Sequence, residues 1–155
     1  MSFFYGIKEY PFLQPLADNW QTILEEYKNV QAAAIEWPEK DIYTDGWNVV
    51  GLRFMGHEFE ESQGVSSAAS DVYKRQILKA GTVIHPHEGY TDKVYRVHLG
   101  LICPEGAWIK VGNQVNTWKD GEVFVFDDTI THEVQNNAET DRVILLMDFL
   151  KDTPT

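Results

Sequence analysis

The chain has 155 residues, enough for one domain with a core of its own and too few for two ordinary domains. Its 13 Lys and Arg stand against 24 Asp and Glu, a net charge of −11, so the average surface repels phosphate and neither nucleic acid nor an anionic membrane is an expected partner. Hydrophobic residues at 43% and aromatics at 13% exclude a disordered acidic tail. The single cysteine, Cys103, allows no internal disulfide and no paired-thiolate metal site. Met1–Glu9 lacks a basic start followed by an apolar stretch, and no segment reaches membrane-spanning length, so a soluble, unexported, cytoplasmic chain is expected.

Taken in chain order, the first element is a helix over Leu16–Val30. Leu16, Trp20, Ile23, Leu24 and Tyr27 fall on one stripe at helical spacing, and Pro15 suits a first turn. Such a stripe predicts packing of one face on a sheet. Asp45-Gly46 marks a tight turn into a strand over Trp47–Phe54. From Ile77 onward, short apolar or alternating runs separated by Gly, Pro, Asn and Asp predict strands over Gly81–Ile84, Val94–Leu101, Trp108–Val111, Gly121–Phe126, His132–Gln135 and Arg142–Phe149. One helix followed by many short strands predicts a mainly β fold, a single domain over residues 1–155, built as a sandwich or jelly roll with the helix packed on its outside.

Ser66–Gln76, Ser-Ser-Ala-Ala-Ser-Asp-Val-Tyr-Lys-Arg-Gln, has no amphipathic period joining helix to strand. It looks like a translated transposase adapter from sequencing-library preparation, which would make it a replacement of native sequence between Gly64 and Ile77.

Five histidines lie at 57, 85, 87, 98 and 132. In Ile84-His85-Pro86-His87-Glu88-Gly89, an extended chain puts His85, His87 and Gly89 on one side and Glu88 on the other. A histidine beside a turn, followed much later by one opening a strand at His132, is a candidate metal pair, because imidazole is a good ligand for transition metals. In Val94–Leu101, alternation sends Tyr95, Val97, Leu99 and Leu101 to an apolar face and Arg96, His98 and Gly100 to the opposite one. Arg142 opens a run apolar on both faces, as in a buried strand, so its guanidinium needs an anion. That anion is either Asp127, Asp128 or Asp148 in an ion pair, or the carboxylate of a small ligand. Asp127 and Asp128 can bind a metal, orient an imidazole or hydrogen-bond their own turn.

His87-Glu88-Gly89, Arg96-Val97-His98-Leu99-Gly100-Leu101, Gly121–Asp128, His132-Glu133-Val134 and Arg142, in this order, resemble the aspartyl/asparaginyl β-hydroxylase family of iron(II)- and 2-oxoglutarate-dependent dioxygenases. The resemblance is strong over about residues 77–150 and weaker through Pro11-Phe12-Leu13, Asn19–Ile23, Trp37-Pro38-Glu39 and Gly46-Trp47. It implies a double-stranded β-helix of the jelly-roll, cupin-like kind. It implies that His87 and His132 hold Fe(II), that Arg142 pairs with the distal carboxylate of 2-oxoglutarate, and that Arg96 and His98 help position this cosubstrate. The implied reaction consumes O2 and decarboxylates 2-oxoglutarate to succinate while hydroxylating an Asp/Asn-type residue in a peptide or a small amino-acid-like molecule.

Gly89 stands where most such oxygenases carry the carboxylate of a two-His-one-carboxylate triad, and Glu88 is one residue out of phase. The β-hydroxylase branch is similar in this, so a two-histidine iron with water in the third place is expected, with Asp92 as the nearest downstream carboxylate and His85 as the alternative to His87. Relatives also carry a Ser-bearing segment before the strand matching Ile77-Leu78 that assists cosubstrate binding. Here Arg75-Gln76 hold that place. The competing readings are a non-catalytic cupin-like binding module, a damaged copy of the hydroxylase, and a cupin isomerase using another divalent metal.

Overall fold

The computed structural model describes residues 2–30, 35–36, 47–51, 53–54, 57–58, 73–89 and 92–151. The expected Asp45-Gly46 turn, the Trp37-Pro38-Glu39 segment and Ser66–Val72 lie outside them.

The chain opens with a short 3-10 turn at Pro11–Leu13, followed by α1 (Gln14–Asp18) and α2 (Trp20–Val30). The single helix read from the sequence is thus interrupted at Asn19. Its side-chain amide and its backbone N–H both donate to the Pro15 carbonyl, the local competition that makes Asn a poor mid-helix residue. The stripe still works across the break: Leu16 and Ile23 are buried, with Trp20 and Leu24 packed beside them.

The strands are β1 (Ile35–Glu36), β2 (Trp47–Gly51), β3 (Arg53–Phe54), β4 (His57–Glu58), β5 (Tyr73–Leu78), β6 (Val83–His87), β7 (Val94–Ile102), β8 (Ala107–Val111), β9 (Gln114–Asn116), β10 (Val123–Phe126), β11 (His132–Asn136) and β12 (Arg142–Leu150). A large antiparallel sheet has the order β1-β2-β5-β12-β7-β10, a smaller one β6-β11-β8-β9, and β3 pairs with β4. From β5 onward every connection crosses from one sheet to the other except the β8–β9 hairpin. That winding is a double-stranded β-helix, as expected.

Alternation along the central strands feeds two cores. Val97, Leu99 and Leu101 of β7 and Val143, Leu145, Met147 and Phe149 of β12 face outward, under Leu13, Leu16 and Ile23 of the helical segment. Phe124, Phe126 and Ile144 face the other way and meet Ile84, Ile109, Val111 and Val134 of the small sheet. β12 is covered on both sides, hence apolar on both faces. Truncating Leu99, fully buried, to Ala would cost roughly 2–5 kcal/mol.

Three details depart from the sequence reading. β6 begins at Val83, not Gly81, because Gly81 takes a positive φ of 82° in a turn closed by the Thr82 N–H donating to Lys79 O. β1, β4 and β9 were not anticipated. β5 starts at Tyr73, so the last four residues of the adapter-like stretch form its first two thirds, Arg75 opposite Leu145 and Gln76 opposite Ile144. Ahead of the helices, Tyr5 exchanges both backbone hydrogen bonds with Val125, along the outer edge of β10. Among the described residues no helix is long and apolar enough to cross a membrane.

Candidate active site

β6 and β11 pair antiparallel with His132 opposite His87 and Val134 opposite Ile84. Three steps on β6 therefore face two on β11, a bulge that takes up the extra residue at His85-Pro86. Proline has no N–H for a ladder, and β6 is the outer strand of its sheet, so both conditions for a bulge are met. The bulge shifts the side-chain phase, placing His87 on the inward side with Ile84 while His85 remains exposed. The expectation that His85 and His87 share a face fails for this reason.

The rings of His87 and His132 stand 4.3 Å apart, centroid to centroid. His87 Nδ1 lies 2.8 Å from His85 O, and His132 Nδ1 2.7 Å from Ile130 O. A carbonyl only accepts, so each neutral ring carries its proton on Nδ1 and keeps the Nε2 lone pair. A metal-binding imidazole is prepared in this way. Among the described residues no set of three or more His, Cys, Asp and Glu side chains converges as a ready-made cage; the donors on offer are this pair.

Asp128 is buried beside them, with Oδ1 3.2 Å from His132 Nε2 and 3.2 Å from Arg96 Nη1, at angles too oblique for good hydrogen bonds. Burial alone would raise its pKa; the Arg96 charge and the His132 contact outweigh that and hold it below the ordinary carboxylate range. Gly89 donates its N–H to Asp128 O at 2.7 Å, and a Cβ on Gly89 would collide with the Asp128 carboxylate. Glu88 points away, accepting from Thr131 Oγ1 at 2.7 Å, and Asp92 is exposed. Asp127 binds its own turn through Thr129 and also Lys151, at 2.8 Å.

Arg96 donates through Nε and Nη2 to the two oxygens of Asp148 at 2.9 and 3.1 Å. With Nη1 beside Asp128, it brackets β12 to the turn before His132. The carboxylate pairing considered for Arg142 is thus made by Arg96, and three of the nitrogens expected to face the cosubstrate are turned to protein carboxylates.

Further along the inner face of β7, buried His98 accepts a hydrogen bond at Nδ1 from the Trp118 indole N–H, 3.1 Å away. Burial, then the charges of Arg142 and Arg96, hold its pKa well below 6.5. Arg142, fully buried, lies 4.4 Å over the Trp118 ring. Burial lowers its pKa to about 9, the Cys103 thiol acting in the opposite direction. The site is therefore a file of polar groups between two sheets: the imidazole pair at one end, His98 in the middle, and a guanidinium at the other.

A sequence profile of the family described as Aspartyl/Asparaginyl beta-hydroxylase matches residues 17–152. The chain belongs to the aspartyl/asparaginyl β-hydroxylase family. Within it, the Mus musculus aspartyl/asparaginyl beta-hydroxylase is 42% identical over 76 residues, 48% of this chain and 10% of the mouse protein. An ornithine lipid ester-linked acyl 2-hydroxylase of Rhizobium tropici is 41% identical over 78 residues, 48% of this chain and 28% of that protein. The matches thus span less than a third of these relatives' length.

The β-hydroxylase-family chain also shares its fold with a Pseudomonas putida prolyl-4-hydroxylase (TM-score 0.60, 14% identity, 88% of each chain). A second neighbour is SnoN, a non-heme alpha ketoglutarate dependent epimerase from nogalamycin biosynthesis (TM-score 0.61, 9% identity, 88% of this chain and 75% of that one). Two features of the site in this family member escaped the sequence reading. Trp118 is the larger omission; its one signal was a lone Trp inside the polar run Asn116–Gly121. The other is the exchange of space between Gly89 and Asp128, which has no sequence signal.

Proposed function

We propose that the chain binds Fe(II) through His87 and His132 and 2-oxoglutarate with its distal carboxylate on Arg142, and uses O2 to hydroxylate an Asp/Asn-type residue of a peptide or a small amino-acid-like substrate. The observation that carries this is the pair of imidazoles facing each other in register, each with Nδ1 tied to a backbone carbonyl, so that Nε2 is the nitrogen each neutral ring would offer a metal. The residues fit the group: two neutral nitrogen donors suit iron, and a buried cation at the far end of the same space suits the second carboxylate of a diacid. When bound, iron and the oxo acid supply the oxidising power, one oxygen atom of O2 leaving in succinate beside CO2 and the other in the hydroxylated product.

The chain's own groups do the rest. The Ile130 carbonyl, accepting from Nδ1, fixes the His132 ring. Arg142 offers a charge-assisted fork, and the Trp118 face holds its plane. Phe124 and Phe126, both buried, keep water from the middle of the pocket. A net charge of −11 supports a small or peptidic substrate over nucleic acid or an anionic membrane, and a cytoplasmic setting belongs to the same reading.

A second reading, a cupin-like binding module or damaged copy, is favoured by one observation: Arg75-Gln76 of the adapter-like stretch occupy β5 next to Arg142's strand. Succinate release separates the two. We expect release, with a rise when a relative's sequence replaces Ser66–Gln76. Iron binding with no succinate from either chain, over a screen of amino acids and peptides, favours the module.

A further inference from the structure

We propose that Trp118 is a positioning residue of the pocket: its indole N–H selects the His98 tautomer that donates from Nε2, while its ring face carries Arg142. The ligand's identity in this inference rests on the 2-oxoglutarate reading above.

An indole N–H can only donate. With Trp118 Nε1 3.1 Å from His98 Nδ1, that nitrogen must present its lone pair, and the ring proton must sit on Nε2, on the far side of the ring. A carboxylate can only accept. The tautomer chosen by Trp118 therefore turns a donor toward the pocket, whereas the other would turn a lone pair against an anion. The doubly protonated ring, which would also donate, is disfavoured by burial and by Arg142 and Arg96 on either side.

The surroundings are built to hold this arrangement. His98 is hemmed by Phe124 and Phe126, at ring separations of 5.5 and 5.1 Å. The segment carrying Trp118 is locked to β7 two residues beyond His98: Gly121 N–H donates to Gly100 O at 2.9 Å, Gly100 N–H to Glu122 O at 3.0 Å, and Cys103 N–H to Asp120 Oδ1 at 2.9 Å. A Cβ at Gly100 would strike the Lys119 carbonyl, so this close approach requires glycine. One side chain thereby sets the proton of one ligand-facing group and the plane of another.

The test is Trp118→Phe, which keeps an aromatic face beneath Arg142 and removes the N–H. Histidine-labelled NMR of the metal-free, ligand-free chain reads the His98 tautomer directly. Wild type should show the neutral Nε2–H form, and the variant should lose that preference. Anaerobic calorimetry with Fe(II) and 2-oxoglutarate should then show affinity for the oxo acid falling about tenfold or more, with iron affinity unchanged. An Nδ1–H signature in wild type overturns the proposal whether or not the variant folds, and so does an unchanged tautomer in the variant. A tautomer change with undiminished 2-oxoglutarate affinity also overturns it. A tautomer change with no 2-oxoglutarate binding by wild type overturns it by removing the ligand, and marks the cosubstrate reading as the failure.

Discussion

Gly89 and Asp128 share one volume: the backbone of the first donates to the carbonyl of the second at 2.7 Å, and the carboxylate of the second occupies the space a side chain at 89 would need. Installing the missing triad carboxylate by Gly89→Asp should therefore not create a better iron site. Two acidic side chains would compete for a buried place already charged. We expect a loss of about 1–3 kcal/mol in urea denaturation from overpacking, with no gain in Fe(II) affinity. Tighter iron binding at unchanged stability would show that Asp128 yields the space freely.

The bulge at His85-Pro86 divides two histidines that look equivalent in sequence. His132→Ala and His87→Ala should each abolish the weak visible absorption that Fe(II) and 2-oxoglutarate give together under anaerobic conditions. His85→Ala, on an exposed residue, should leave it intact. Loss of the band in His85→Ala would mean that β6 is in a different register.

Arg142 is buried at an electrostatic cost, visible in a pKa lowered to about 9. The Arg142→Met variant keeps most of the side-chain volume and removes the charge. Its 2-oxoglutarate affinity should drop by on the order of 1.5–3 kcal/mol while iron affinity stays level. Parallel losses of both ligands with a lower melting temperature would indicate a structural role alone.

Arg96 should behave in the opposite way. It holds Asp148 by two bonds and Asp128 by charge, all largely buried, so Arg96→Met strands two carboxylates. The expected cost is about 3–5 kcal/mol, measurable by urea denaturation without any ligand. A neutral substitution would mean that Arg96 serves the pocket and not the fold.

His98 makes stability depend on mildly acidic pH. Its folded pKa lies well below 6.5, so the unfolded chain binds the proton first. The contribution is therefore complete above about pH 6.5 and is lost as pH falls, at a slope of up to about 1.4 kcal/mol per pH unit for one proton. Asp127 and Asp128, held below their ordinary 3.8, lose theirs only in stronger acid. Denaturation midpoints at pH 7.5 and 5 should differ in wild type, and the difference should shrink in His98→Phe. Equal slopes in the two proteins would assign it elsewhere.

Much of this architecture was legible because it follows from alternation. Val97, Leu99 and Leu101 on one side of β7, with Arg96 and His98 on the other, is a period-two pattern, and the structure keeps it. The run Arg142–Phe149 read as a doubly covered strand for the same reason. What stayed hidden depends on backbone geometry or on residues distant in sequence. A bulge moves His87 across the sheet without altering a letter, β5 pairs through its main chain over polar residues, and the Trp118–His98 bond joins two loops' worth of separate sequence. Helical continuity failed at Asn19 because a side-chain amide competed locally with the helix.

Pro86 has a further consequence beyond aiming His87. An outer strand that offers its full row of N–H and C=O groups invites a neighbouring molecule to zip onto it. At β6 a missing donor and a bulge spoil that template beside the imidazole pair, and at β10 the Tyr5 segment already occupies the outer hydrogen-bonding positions. These two margins are thus guarded against intermolecular strand addition, so replacing Pro86 should show itself first as aggregation at high concentration and only afterwards as lost chemistry.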